Sequence, residues 1–349
     1  MTGAELDRAE VLAYRASVHG LEQPVASPAD CGVLDVGVQD TPPGTTAGPA
    51  LRARVRSPGE LALSPGLALV HSLRGAMHVH RAADLPLLVA ALRPDAAEDR
   101  GRLDRVATAM SDVMSDEATR TKGELSGEIT KILPRPIRPY CAVCQVEHVD
   151  DGLFRMATLP AGLQLRPVGH RSASFFRIPL PSVAQASPAR RELLRRFLRR
   201  CGPARPKDLA AWIGITPANA RQRWDKLADE LVEVRVGGKR LWMHTEDLAA
   251  AREAAVPTAV RLLPPYDPLV EVVNRELLLT AKERRQQLWR AVANPGPVLI
   301  AGEVIGTWRR RKLTITVSPF EPLSPAQQRA IQAAAAVDTT PADVDIRFD

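Results

Sequence analysis

Residues 187–244 carry the strongest structural signal in the chain. Ser187-Pro188 and Thr216-Pro217 each place a hydroxyl side chain before a proline, which is a common way to begin a helix. Apolar residues after the first signal recur at helical spacing until Gly202-Pro203 ends the first helix, and Lys207 to Ile213 forms a second short helix ended by Gly214. Strand-like alternation on both sides of Gly237-Gly238 indicates a hairpin. Three helices followed by a hairpin form a winged helix, which commonly binds DNA but is also reused as a packing unit without a ligand.

Three gaps rich in proline, alanine and charged residues divide the chain into four segments. They lie at residues 93–102, 180–186 and 249–257. The first two segments also combine helical patterns with strand pairs: residues 67–73 and 76–81 form one pair, and residues 153–157 and 163–165 are candidates for the other. The fourth segment is predicted to contain short strands and a final helix.

The order of these elements predicts the fold class. We expect an α+β protein in which three tandem winged-helix motifs pack around a small C-terminal β-barrel or sheet. The expected bounds are 1–95 for a first winged helix, 103–180 for a second, 187–248 for a third and 257–335 for the β-barrel domain with its terminal helix.

Charge and composition restrict the class of partner. The chain has 47 Lys and Arg residues against 40 Asp and Glu, a formal net charge of +7. This surplus suits a polyanion, although many basic proteins bind none. Neither a signal peptide nor a membrane-spanning run is recognisable, so we expect a cytoplasmic protein without membrane contact. Four cysteines in a chain of this length predict reduced thiols.

Residues 34–44, LDVGVQDTPPG, form the most unusual stretch of the sequence. An apolar, strand-like run ends in Gln39-Asp40 before a proline turn, and these two side chains are the ones there that are suited to chemistry. The alternative is a purely structural turn, in which Gln39 bonds the backbone and Asp40 begins an Asx-type turn before Thr41-Pro42.

Four further stretches occur together with this one. They are Arg74-Gly75-Ala76-Met77-His78, Gly202-Pro203, Leu263-Pro264-Pro265-Tyr266-Asp267-Pro268 and Gly306-Thr307-Trp308-Arg309. In this order they resemble the bacterial winged-helix DNA glycosylase family (AlkZ/YcaQ-like), closer to the AlkZ branch. The resemblance implies a cleft that takes DNA and a cofactor-free hydrolysis of the N-glycosidic bond of bulky alkylated (N7/N3) purines. For some members it extends to interstrand cross-links, and it suggests self-resistance to a genotoxic natural product as the setting.

The resemblance also implies which residues are catalytic. AlkZ-like members have glutamine, an apolar residue and glutamine, whereas YcaQ-like members have aspartate in the third position. Here Gln39 takes the third position and Gly37 takes the first. Glycine has no side chain to hold a water, so either Gln39 works alone or the activity is weakened or altered. Asp35 lies about 13 Å from Gln39 along an extended strand, and Asp40 contributes if the turn twists it inward. Gln39 and Asp40 are the expected catalytic residues.

A single glutamine suits this chemistry. An N7- or N3-alkylated purine is a cationic leaving group that needs no protonation, so the enzyme must place a water and stabilise an oxocarbenium-like sugar. An amide oxygen can do both by preorganisation, without abstracting a proton. Slow, lesion-selective turnover is therefore expected. The alternatives are a non-enzymatic winged-helix DNA-binding regulator and an inactive relative that shields lesions.

Several basic residues are candidates for contacts with double-stranded DNA that carries alkylated bases. They are Arg54, then Arg74, His78 and His80 on the predicted first wing, and the cluster Arg309, Arg310, Arg311 and Lys312. The alternatives are solvated histidines and a solvated edge strand. We expect the protein to act as a monomer.

Cys141-Ala142-Val143-Cys144 and His148 have part of a zinc spacing. A structural zinc needs four ligands, and His170 is the nearby candidate for the fourth. Because two thiols in a turn are the simpler interpretation, we expect no metal.

Overall fold

The chain divides into two compact units in a computed structural model that describes residues 3–56, 66–169, 172–180, 184–271, 274–339 and 344–349. The first unit consists of Met1–Val38, Thr46–Ser64 and Leu194–Asp349, and the second of Gln39–Thr45 and Pro65–Leu193. Each unit therefore combines stretches that are far apart in sequence.

Helices and strands are interspersed along the chain. The helices are α1 (Arg8–Val18), α2 (Ala47–Arg52), α3 (Leu85–Leu92), α4 (Ala97–Val113), α5 (Lys122–Ile132), α6 (Asp151–Thr158), α7 (Ala186–Cys201), α8 (Pro206–Ile213), α9 (Pro217–Asp225), α10 (Asp247–Arg252), α11 (Arg275–Leu278), α12 (Lys282–Leu288) and α13 (Pro325–Asp338). The strands are β1 (Ala4–Leu6), β2 (Val38–Gln39), β3 (Leu67–His71), β4 (Met77–Arg81), β5 (Arg120–Thr121), β6 (Tyr140–Cys141), β7 (Val146–Glu147), β8 (Leu163–Val168), β9 (Ser172–Arg177), β10 (Leu231–Val236), β11 (Lys239–His244), β12 (Val260–Leu262), β13 (Gly296–Ile300), β14 (Glu303–Arg311), β15 (Thr314–Pro319) and β16 (Asp345–Phe348). This mixture of elements confirms the α+β class.

The described residues of the first unit form two sheets. One has the strand order β1-β10-β11, in which β1 runs parallel to β10. The other has the order β12-β13-β14-β15-β16 and packs its apolar face, including Val298 and Ile315, against Ile331 and Ala335 of α13. The C-terminal sheet and terminal helix expected from the sequence are therefore present, and the strands of this sheet are arranged linearly from β12 to β16.

Residues 187–244 have the expected order of elements. Helices α7, α8 and α9 precede the β10–β11 hairpin, and Thr216 caps α9 by accepting a hydrogen bond from Asn219 N. Helix α9 ends at Asp225, and a short 3-10 turn, Ala228–Glu230, leads into the hairpin. Trp224 and Trp242 meet edge to face across this segment.

The second unit is built around an apolar core shared by helices and strands. Met110 of α4, Leu125 of α5 and Phe154 of α6 pack with Leu69 of β3 and Phe175 of β9. Strands β3 and β4 form the antiparallel pair expected around Arg74-Gly75, and β8 pairs with β9.

Residues 153–157 are not a strand, which corrects the sequence expectation. Asp150 accepts hydrogen bonds from the amides of Gly152 and Leu153, and this N-cap begins helix α6. The partner of β8 is β9. Periodicity in a short apolar run does not distinguish a strand from a helix, so the N-cap at Asp150 determines that this run is helical.

None of the helices in the described part of the chain is both long and apolar enough to cross a membrane.

Candidate active site

Asp40 closes the turn that follows Gln39. The backbone amide of Asp40 donates to Met77 O at 2.9 Å, which ties this stretch to β4. The Asp40 carboxylate accepts hydrogen bonds from the amides of Gly44 and Thr45. Both carboxylate oxygens thus serve the backbone of the turn, as in the structural alternative for this residue, and Asp40 itself is buried.

The side-chain amide of Gln39 is oriented at both ends. Its Nε2 donates to Thr41 Oγ1 at 3.2 Å, and its Oε1 accepts from Nη2 of Arg74 at 3.2 Å. Because nitrogen donates to Thr41 and oxygen accepts from a guanidinium, the hydrogen bonds fix which way the amide points. Gln39 is buried and Arg74 is exposed.

Arg74 lies in the turn between β3 and β4. Its backbone is left-handed, with a φ of 57°, and Gly75 follows with a φ of 66°. A non-glycine residue in this region carries strain of about 1 kcal/mol or more and persists when its surroundings impose it. The turn directs the side chain of Arg74 to Gln39, 35 residues earlier in the chain.

The structure buries His78 and His80, which were expected to contact DNA. They are 3% and 1% exposed, and Ser72 Oγ lies 3.1 Å from His78 Nδ1 and 3.0 Å from His80 Nε2. Burial holds the pKa of His78 well below its usual range, with His80 and Arg74 acting in the same direction. A buried imidazole whose charged form is disfavoured is a poor ligand for a phosphate, so the burial of these histidines argues against the expected DNA contact.

Arg54 is also placed at odds with its expected role. Its guanidinium makes a two-pronged ion pair with Asp267, in which both nitrogen–oxygen distances are 2.8 Å, and also donates to His19 O and Ala50 O. The side chains of Arg54 and Asp267 are 1% and 0% exposed. This arginine lies in the core of the first unit and is not available to phosphates.

The basic cluster at residues 309–312 is located at the tip of the β14–β15 hairpin. Arg309, Arg311 and Lys312 are exposed, and Arg310 is half-buried. Arg309 donates to Ala293 O at 2.6 Å, and Arg310 donates to Lys312 O at 2.8 Å. The cluster therefore presents positive charge to solvent, as a contact with a phosphate backbone requires.

A cavity of about 660 Å³ opens beside the turn that carries Gln39, within the second unit. Pro43 and Met77, which flank that turn, line it together with Phe175, Lys122 and Arg155. The lining is mainly apolar, with the two cations as its polar groups of fixed charge. No pattern in the sequence indicates this cavity, because its lining residues come from separate strands and helices.

Cys141, Cys144 and His148 come together, as their spacing suggested. One potential ligand atom from each lies within 4.8 Å of the others. The backbone amide of Cys144 and the side chain of His148 lower the pKa of the Cys141 thiol to about 7. His170, the expected candidate for a fourth ligand, lies outside the described residues.

A comparison with protein families identifies the chain. The family model described as "DNA glycosylase AlkZ-like" matches residues 33–337, which include Gln39, Arg74 and the basic hairpin. The chain belongs to the AlkZ-like DNA glycosylase family. Both residues of the Gln39–Arg74 hydrogen bond lie within the range that the family model matches.

Comparisons with curated proteins and with solved structures each find a match from Streptomyces sahachiroi. An "Interstrand DNA cross-link repair glycosylase" is 26% identical over 175 residues, which are 49% of this chain and 46% of that protein, so the alignment spans about half of the relative. The solved structure of "DNA glycosylase AlkZ" matches with a TM-score of 0.77 at 19% identity and covers 99% of this AlkZ-like chain and 100% of the other. At that identity the structural match shows a shared fold.

Proposed function

We propose that this protein is a monofunctional DNA glycosylase that hydrolyses the N-glycosidic bond of bulky alkylated purines in double-stranded DNA. The observation that carries the proposal is the fixed orientation of the Gln39 amide by Thr41 and Arg74 in a chain of the AlkZ-like family. The glycosylase needs no cofactor, since its leaving group is already activated.

Gln39 positions the attacking water. A carbonyl oxygen has two lone pairs, so the bond from Arg74 does not prevent Oε1 from accepting a hydrogen bond from water. The C1′–N bond breaks and the cationic purine leaves as a neutral base. The water oxygen bonds to C1′, and its surplus proton passes to solvent. The amide dipole stabilises the positive charge that develops on the sugar without taking the proton.

Asp40 has a positioning role in this proposal. Its carboxylate orders the turn by accepting bonds from Gly44 and Thr45. This turn contains Thr41, whose hydroxyl accepts the hydrogen bond that orients the Gln39 amide. We therefore propose that Gln39 positions the water and that Asp40 maintains the geometry of the loop.

The cavity beside Pro43 and Met77 suits a flat, bulky lesion. Its volume of about 660 Å³ lies within the usual range for small-molecule sites, which is roughly 300–1,000 Å³. An apolar lining that includes Phe175 can contact an aromatic adduct, and Lys122 and Arg155 can contact a phosphate. The Streptomyces sahachiroi relative is an interstrand DNA cross-link repair glycosylase, so cross-linked DNA is the substrate to test after a single alkyl-purine. Self-resistance to a genotoxic natural product is the setting we propose.

The test is excision from a duplex oligonucleotide that carries one defined alkyl-purine. Alkali converts the resulting abasic site into a strand break. Gln39→Ala should abolish the break and leave DNA affinity nearly unchanged. Gln332→Ala, at an exposed glutamine on α13, is the matched control and should behave as the wild type. Unchanged excision by Gln39→Ala contradicts the assignment.

Gly37 favours a second candidate, a non-enzymatic DNA-binding regulator. Glycine at this position leaves the site with one amide where AlkZ-like members have two. The same duplex assay separates the two functions, because a regulator binds an undamaged sequence tightly and produces no abasic sites from any adduct.

A further inference from the structure

A small hairpin in the second unit and the residue after it bring together three side chains of types that can bind a metal. Strands β6 and β7 pair through Tyr140–Glu147 and Cys141–Val146, and the amide of Gln145 donates to Cys141 O at 2.8 Å across the turn. Gln145 has a φ of 56°, which tightens this turn. Cys144 lies in the turn itself. The strands hold only two residues each, so the pairing alone is too short to form a stable hairpin.

His148 follows β7 in an orientation typical of a metal ligand. Its Nδ1 lies 2.7 Å from Val149 O, and because a carbonyl oxygen only accepts, Nδ1 carries the proton. The lone pair of the neutral ring is then on Nε2. That atom is buried and has no hydrogen-bond partner. Histidines that bind metals commonly donate their other ring N–H to a backbone carbonyl in this way.

We propose that Cys141, Cys144 and His148 form a zinc site. Their ligand atoms lie within 4.8 Å of one another, so small rotamer changes can place all three at the metal–ligand bond lengths of about 2.0–2.3 Å from one zinc ion. Two thiolates and an imidazole are ligands that favour zinc over hard, oxygen-preferring cations. Zinc binding would also give the buried Nε2 of His148, which has no hydrogen-bond partner, a ligand role.

The fourth position faces an open cavity. No fourth His, Cys, Asp or Glu among the described residues meets the same distance limit. A cavity of about 480 Å³ borders the cluster and is lined by Cys144, His148, Lys122 and Asp151. We assign the fourth position to a water molecule from this cavity.

The metal would stabilise the start of α6. Val149, next to His148, is fully buried in the core of the second unit, and Asp150 is the N-cap of that helix. Zinc would therefore couple the exposed hairpin to the helix that contributes Phe154 to the core. Removing it should loosen residues 140–148 without unfolding the chain.

The test is the zinc content of tag-free protein that is expressed with added zinc, kept reduced and dialysed. Stoichiometric zinc, measured by elemental mass spectrometry, is expected for the wild type and its loss for Cys141→Ser, Cys144→Ser and His148→Ala. Val143→Ser is the matched control, because this side chain is 93% exposed in the same turn, and it should retain zinc. His170→Ala should also retain zinc if water is the fourth ligand.

Cobalt gives an independent readout. Replacement of zinc by Co²⁺ should produce thiolate charge-transfer and tetrahedral d–d absorption bands in the wild type and in Val143→Ser, and neither in Cys144→Ser. Wild-type protein with no more zinc than Cys144→Ser, or a Cys141–Cys144 disulfide that persists in the presence of zinc and reductant, would overturn the proposal. Neither result depends on glycosylase activity.

Discussion

Arg74 donates a hydrogen bond of 3.2 Å to the side-chain oxygen of Gln39, 35 residues away in sequence. The bond joins the side chain that we propose positions the water to an exposed arginine from a strained turn. It also places a fixed positive charge beside the amide. A guanidinium at this point orients the amide, and we propose that it also contacts a DNA phosphate and so links binding to chemistry.

Arg74→Ala should slow excision more than it weakens DNA binding. A hydrogen bond from a charged group contributes about 1.5–3 kcal/mol, which corresponds to a loss of roughly 10- to 100-fold in single-turnover rate. Arg74→Lys should recover the phosphate contact but not the orientation of the amide. The measurement is single-turnover excision together with the dissociation constant for the same duplex. Equal losses in rate and affinity would assign Arg74 to binding alone.

Local signals predicted the elements well. The Thr216-Pro217 cap and the Gly237-Gly238 turn act over a few residues, and the helices and hairpin of residues 187–244 follow in the expected order. The strand predicted at residues 153–157 was wrong because Asp150 caps a helix there. Short-range chemistry is visible in a sequence when both partners lie within one turn.

The environment of the site residues was less accessible to sequence analysis. Gln39 was identified through its run and a family resemblance, but its partner Arg74 comes from another turn. Arg54 is buried because Asp267, more than 200 residues later, neutralises it. His78 and His80 are buried around Ser72. A basic or titratable side chain has the same appearance in a sequence whether it faces solvent or a distant partner.

Gly37→Gln should not create a second catalytic amide. The φ of Gly37 is 79°, in the left-handed region, where an L side chain costs about 1–2 kcal/mol. The variant should lose that free energy of unfolding in urea and show no gain in excision rate. Gly48→Gln, on α2, where nothing lies within 4 Å of an added Cβ, controls for the bulk of the substitution. A faster variant with unchanged stability would show that the turn adapts to the family pattern.

His71 should make stability depend on pH. Burial lowers its pKa from 6.5 to about 3, so the unfolded state binds the proton more tightly than the folded state. This contribution is fully present above pH 6.5 and is lost as the pH falls toward 3. The substitution His71→Gln should reduce the slope of the unfolding free energy against pH in this window by up to about 1.4 kcal/mol per pH unit.

The measurement for His71 is urea unfolding at a series of pH values. Thr158 Oγ1, which lies 3.1 Å from His71 Nδ1, offers the glutamine a hydrogen-bonding partner, so the variant is expected to fold. Gln332→Ala provides the comparison, since it replaces an exposed side chain that does not titrate and should keep the wild-type slope. An identical slope for wild type and His71→Gln would show that His71 is not protonated on unfolding in this range.

Arg311 and Lys312 should contribute to DNA affinity through phosphates. Both are exposed at the tip of the β14–β15 hairpin. Each lysine or arginine that neutralises a phosphate releases about one counterion, so replacing both with glutamine should reduce the slope of log affinity against log salt by about 2. The double variant should lose affinity equally for damaged and undamaged duplexes, because phosphate contacts carry no information about the lesion.

The control for this hairpin is a matched loss of positive charge elsewhere. Arg329→Gln on α13 and Lys226→Gln next to α9 remove two exposed cations, which lowers net charge by the same amount without touching the hairpin. Binding is measured by fluorescence anisotropy over a range of NaCl concentrations. A slope reduced equally by both double variants would mean that total charge, and not the β14–β15 hairpin, sets the attraction to DNA. A reduction confined to the hairpin variant would locate a phosphate contact there.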